Sequence, residues 1–102
     1  MLALRLVALL FTLFAASVHA LAGQVTLAWD AVAGAAGYKV YYGQRSGSYT
    51  SNVEARNQLT YSVSGLSEGA RYYFAVTAYG QPGTAESGFS NQVSTVVPTS
   101  TS

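Results

Sequence analysis

No cysteine occurs anywhere in the chain, so no disulfide can staple it and no lipid can be attached through an N-terminal cysteine. Histidine occurs once, at His19, and the rest of the chain lacks the usual soft metal ligands and the commonest general base. No metal and no other cofactor is expected. Charge is scarce as well, with five Lys and Arg against four Asp and Glu in 102 residues, scattered rather than massed. With no basic stripe to meet a phosphate backbone, nucleic acid is not an expected partner. Helical periodicity is missing beyond the N-terminal run, so there is nothing to form a crossover helix and an α/β fold is ruled out.

What is present begins with a leader. Arg5 is the only charge before Asp30, and Leu6 to Val18, "LVALLFTLFAASV", is mostly apolar without interruption. A basic residue, a short apolar stretch and small residues at its end describe a secretory signal peptide. Ala20-Leu21-Ala22 fits the small-x-small cleavage rule, and Val18-His19-Ala20 is a second choice. The alternative is an uncleaved anchor, but a membrane span needs about 20 apolar residues and this run is shorter. The expected organisation is a signal peptide over 1–22, one domain over 23–97 and a Ser/Thr tail over 98–102. The product is expected to be secreted or periplasmic, touching a membrane only if the leader stays attached.

Cleavage leaves about 80 residues, enough for one small domain held by packing alone. Its charges balance: Lys39, Arg45, Arg56 and Arg71 against Asp30, Glu54, Glu68 and Glu86. The pattern is apolar–polar alternation punctuated by Gly, Ser, Asn and Pro. "VTLAWD" sets Val25, Leu27 and Trp29 on one face, and "YKVYY" sets Tyr38, Val40 and Tyr42 on one face. "VEARN" reads as a short edge strand, and "LTYSVSGL" turns Tyr61 and Val63 inward. "RYYFAVTAY" sends Tyr72, Phe74, Val76 and Ala78 one way and Tyr73, Ala75, Thr77 and Tyr79 the other. "GQPGTAESG" reads as a hairpin loop with Pro82 and Gly83 as turn formers, and "FSNQVSTVV" as a last strand. Several short alternating strands separated by turn signals predict an all-β fold, an antiparallel β-sandwich.

"LSEGARYYFAV" is the most specific stretch. Leu66 precedes Tyr72 by six residues, with Gly69 midway, and an alternating strand follows at once. This spacing fits a tyrosine corner, in which the ring packs in the core and the hydroxyl bonds to backbone just upstream. Together with Trp29 and "GYKVYYG", the chain resembles a fibronectin type III domain from about Val25 to Val97, of the kind common in exported bacterial proteins. "VTLAWD", "SGSYT", "YSVSGL", "YYFAVTAYG" and "ESGFSNQV" follow in order and carry the likeness. An immunoglobulin-type sandwich is the structural alternative, although the cysteines many of them use are absent. The resemblance implies a core of Trp29, Tyr38, Val40, Leu66, Tyr72, Phe74 and Val76. It also implies a first strand ahead of the tryptophan strand. After cleavage at most four residues would precede Val25, so that first strand is expected to be missing or vestigial. Two readings of the bare edge follow. Either a stub at Gly23-Gln24, loops and water suffice, or a partner or second copy supplies a strand. A retained leader could itself pair there through "ASVHALA".

Tyr41, Tyr73 and Tyr79, with Lys39 and Thr77 between them, are expected on the solvent face of one sheet. Tyrosine offers rigid, amphipathic contact area, so this face is the candidate ligand surface; ordinary cross-strand packing is the competing explanation. Arg45-Ser46-Gly47 is not an Arg-Gly-Asp adhesion motif, because its order is wrong. Asp30 and Glu86 are the only acids whose neighbours invite thoughts of catalysis. Asp30 ends a strand and Glu86 is expected in a flexible loop, and an 80-residue sandwich leaves little room for two carboxylates facing across a cleft. No enzyme activity is expected. The chain reads as an exported binding module contacting a surface polysaccharide or protein. The alternative is a structural or accessory subunit that completes its sheet by strand addition, with self-association as one form. A spacer between other domains is a third reading.

Overall fold

The structure is a computed structural model that describes residues 15–80 and 86–99. Seven strands occur in chain order: β1 (Ala15–Leu21), β2 (Gln24–Trp29), β3 (Gly37–Gly43), β4 (Ser51–Arg56), β5 (Thr60–Ser64), β6 (Arg71–Tyr79) and β7 (Val93–Val96). They form a three-stranded sheet in the order β1-β2-β5 and a four-stranded sheet in the order β4-β3-β6-β7, antiparallel throughout. Alternation decides which side chains lie between the sheets. Val25, Leu27 and Trp29 face in from β2, Tyr38 and Val40 from β3, and Val63 from β5. Tyr72, Phe74, Val76 and Ala78 face in from β6, with Leu66 and Val97 closing the ends. Burying side chains of this size stabilises by roughly 1.5–3 kcal/mol each against the conformational entropy of ordering the chain. Trp29 packs on Tyr38 at 5.8 Å between ring centroids, tilted by 53°. The Tyr38 hydroxyl in turn accepts from the Val32 N–H at 2.8 Å and ties down the small-residue loop after β2.

The corner before β6 forms as its spacing predicts. Gly69 adopts φ +82°, a region side chains oppose. The ring of Tyr72 is buried and its hydroxyl accepts from the Ser67 N–H at 3.0 Å. The Gln44 side-chain amide also donates to it, at 3.1 Å.

In the full chain, with the leader attached, the edge expected to be bare after cleavage is filled as the retained-leader alternative anticipates: β1 runs from Ala15 to Leu21 and pairs along the whole of β2, from Leu21 opposite Gln24 to Ala15 opposite Trp29. The cause is the bare edge itself, whose peptide groups need partners, together with the two-residue turn at Ala22 and Gly23. Gly23 supplies the required φ of +70°. Residues 1–14 of the expected leader lie outside the described residues, as do Pro82, Gly83 and residues 100–102 of the tail. The last strand is shorter than "FSNQVSTVV", covering only Val93–Val96. Ahead of it, serine side chains replace part of the backbone ladder. The Ser90 and Ser87 N–H groups donate to the carbonyls of Val76 and Ala78, while their hydroxyls accept from the N–H groups of the same two residues. Finally, Ala75 and Thr77 on the outward face of β6 are buried rather than solvated, because the chain around Glu86 closes over that face.

Candidate functional site

The outward face of the four-stranded sheet is built in rows set by register. Gly37 lies opposite Tyr79, Lys39 opposite Thr77, Tyr41 opposite Ala75, and Gly43 opposite Tyr73. Glu54 and Asn52 of β4 extend the middle two rows through Lys39 and Tyr41. Lys39, Tyr41, Tyr73 and Tyr79 therefore share one face, but they do not form one cluster.

Lys39 and Tyr41 converge on Glu86. One carboxylate oxygen of Glu86 accepts from the Tyr41 hydroxyl at 2.5 Å and from the Thr77 hydroxyl at 2.6 Å. Lys39 Nζ lies 3.8 Å from the other oxygen. Burial, and then the hydrogen bond to this carboxylate, push the Tyr41 phenol up to about 12. Glu86, expected in a flexible loop, is thus anchored at three points, and Asp30 follows the last residue of β2 in the other sheet. Tyr79 makes a separate contact. Its ring lies over Gly37, where a side chain would collide with it, and its hydroxyl crosses β3 to donate to Glu54. That hydrogen bond is also the main cause of its raised pKa. Tyr73 joins neither network.

The sequence reading missed the aromatic centre of this face. Phe89 packs edge-on against Tyr41 at 5.1 Å and against Tyr49 at 5.0 Å, yet remains 55% exposed. Gln92 holds the Tyr49 loop beside it. Its side-chain oxygen accepts from the Tyr49 hydroxyl at 2.7 Å and the Gly47 N–H at 2.8 Å, and its amide donates to Ser46 at 3.0 Å. The only sequence signal was an isolated large aromatic in "ESGFSNQV", a stretch otherwise rich in Ser and Gly. The result is a ridge of three rings, Tyr41, Phe89 and Tyr49, beside fixed hydrogen-bonding groups on Glu86, Lys39 and Gln92. Such a surface offers ring faces to an apolar patch and polar groups to hydroxyls or amides around it.

Apart from this ridge, a concavity of about 440 Å³ opens between the β3–β4 loop and the corner after β5, lined by Gln44, Arg45, Thr50, Ser64, Gly65 and Tyr72 among others. Among the described residues no group of three His, Cys, Asp or Glu could hold a metal, and no helix is long and apolar enough to cross a membrane.

Comparison with known proteins fits this architecture. The family model for the fibronectin type III domain matches residues 15–96, beginning at the first residue of β1. A Kelch domain-containing protein of Saccharolobus solfataricus is 39% identical over 59 residues, 58% of this chain and 8% of that protein. Among solved structures, a β-1,2-glucanase from Parabacteroides distasonis superimposes with a TM-score of 0.73 at 22% identity, over 88% of this chain and 13% of that one. A Fn3-like protein from Clostridium thermocellum does so with a TM-score of 0.66 at 25% identity, over 76% of this chain and 84% of that one. The chain therefore spans less than a tenth of the curated relative it matches and about an eighth of the glucanase.

Proposed function

The chain belongs to the fibronectin type III family, whose domains are typically non-catalytic modules, and from that premise we propose that it is an exported, non-catalytic binding module contacting a surface polysaccharide. The observation that carries this reading is Phe89, an exposed ring held on both sides by Tyr41 and Tyr49. A ring immobilised before contact loses little freedom on binding, so the ridge can use its area for a ligand at low entropic cost. The leader at Arg5 to Ala22 supports delivery to the periplasm or beyond. The carboxylate of Glu86 is committed to Tyr41, Thr77 and Lys39, which argues for a positioning role and against acid–base chemistry.

The test is capture of polymer from the organism's own envelope by the purified protein. Material that survives protease digestion of the envelope is polysaccharide; capture abolished by the digestion means that the ligand is a protein and sinks the polysaccharide assignment. Phe89→Ala combined with Tyr49→Ser is expected to weaken capture at least tenfold. Unchanged capture by that variant, and by Tyr41→Ser, Tyr73→Ser and Tyr79→Ser together, removes this face from consideration. A second reading, an accessory subunit that completes a sheet by strand addition, is supported by the way β2 accepts Ala15–Leu21 along its whole length.

A further inference from the structure

β1 and the expected leader share residues. The cleavage points after Ala20 and after Ala22 fall within β1 and in the turn that joins it to β2, so a processed chain cannot keep the strand in its place. The hydrogen bonding of β2 shows what processing would uncover. The Trp29 N–H donates to the Leu59 carbonyl at 3.0 Å, and the Leu27 carbonyl accepts from the Thr60 hydroxyl at 3.0 Å. Peptide groups alternate sides along a strand, so those of Val25, Leu27 and Trp29 face β5 and those of Gln24, Thr26 and Ala28 face β1.

We propose that processing exposes this edge and that a second copy of the chain covers it, β2 pairing antiparallel with β2 about a two-fold axis at Thr26. The proposal deepens the strand-addition reading and rests on the chain being exported and processed.

Three features select a second copy. First, the edge carries none of the usual protection. Gln24–Trp29 has no charge and no proline, and it pairs with β5 without a register shift. The β4 edge, by contrast, carries Glu54 and Arg56, has a shift between Tyr38 and Lys39, and places Arg56 at φ 58°. Second, the segment is self-complementary. With Thr26 opposite itself, Gln24 meets the second copy's Ala28 and Val25 meets its Leu27. The edge-facing peptide groups then meet one another, and the inward apolar side chains stay on one side. An isologous contact of this kind closes after two copies. Third, charge is complementary at both ends. Cleavage after Ala22 makes Gly23 the N-terminus, and this register places its new ammonium opposite the second copy's Trp29, one residue from the exposed Asp30.

The experiment starts from the protein exported and processed by its own cell. Mass and N-terminal sequence are read first, with Gly23 or Leu21 expected as the first residue. Sedimentation over a concentration series is then expected to show a dimer. Thr26→Lys sets like charges face to face at the axis and should raise the dissociation constant at least tenfold. Because the chain has no cysteine of its own, Thr26→Cys reports the register directly. Facing residues in an antiparallel pair lie about 5.5 Å apart at Cα, within the roughly 4.4–6.8 Å that a disulfide spans. Oxidation should link Thr26→Cys chains into covalent dimers and leave Ser94→Cys, on the outer face of the other sheet, unlinked. A processed chain that stays monomeric overturns the proposal, as does a dimer that Thr26→Cys cannot cross-link. An exported chain that retains residues 15–21 overturns the processing premise instead. Phe89→Ala should leave the dimer intact, so failure of the polysaccharide reading and failure of this one are separable.

Discussion

At the corner before β6 the Tyr72 hydroxyl accepts hydrogen bonds from the Ser67 N–H and the Gln44 amide, whereas on the outer face the Tyr41 hydroxyl donates to the Glu86 carboxylate. Both phenols are pinned, but in opposite senses. Accepting from an N–H favours the phenolate and lowers the pKa of Tyr72; burial and donation to a carboxylate favour the neutral phenol and raise that of Tyr41. Their surroundings differ in the same way. Tyr72 lies in the core with its ring against Phe74 and Tyr42, while Tyr41 stands under a half-exposed ring whose ring contacts, with Tyr41 and Tyr49, include no core residue. The corner holds the sandwich together, and the ridge is a surface it holds up.

This contrast can be tested from its largest consequence downward. Tyr72→Ala removes the ring and the corner bond together and is expected to cost about 3–5 kcal/mol in urea denaturation, as for other buried aromatics. Phe89→Ala at the ridge is expected to cost under about 1 kcal/mol by the same measurement, since much of that ring already faces water. Comparable losses for the two would erase the distinction between scaffold and surface. Removing only the hydroxyls narrows the question. Tyr72→Phe strands the Ser67 N–H and should cost about 1–3 kcal/mol. Tyr41→Phe leaves Glu86 still bonded to Thr77 and Lys39, and about 1 kcal/mol or less is expected.

The smallest effect is in pH. Tyr41 has a folded pKa above its unfolded value, so its contribution is fully present below about pH 10 and is lost as pH rises through about 12. Tyr72 has a depressed pKa, and its contribution therefore grows as pH rises through its folded value toward 10. The stability difference between wild type and Tyr41→Phe should accordingly shrink from pH 9 to pH 12, while that for Tyr72→Phe should widen before it levels off. Parallel slopes in the two series would mean that the hydroxyls are not polarised in opposite directions.

Strand interiors were legible because period-two alternation reports burial directly. Trp29, Tyr38, Val40, Phe74 and Val76 are all buried between the sheets, and the Leu66–Gly69–Tyr72 spacing marks the corner. The candidate face was legible only in part. Lys39, Tyr41, Tyr73 and Tyr79 do point outward together, but their division into a Glu86 network, a Glu54 network and an isolated Tyr73 depends on which acids reach across from other strands. Phe89 and Tyr49 lie 40 positions apart and alternate with nothing, so no local pattern connects them. The occupant of the β2 edge stayed open in the sequence because the same apolar, small-residue segment satisfies the requirements of an export signal and of an edge strand.

Residue order alone determined the all-β class, the inward faces, the corner and the absence of thiol and imidazole chemistry beyond His19. These follow from nearest-neighbour geometry along the chain and from composition. Tertiary structure decided the rest: that Ala15–Leu21 fills the edge of β2, that Ser87 and Ser90 substitute for a ladder, and that Phe89 joins Tyr41 and Tyr49 into a ridge. Each of those depends on a hydrogen bond or ring contact between segments distant in sequence. Such contacts form only once the sheets have brought both partners to one place.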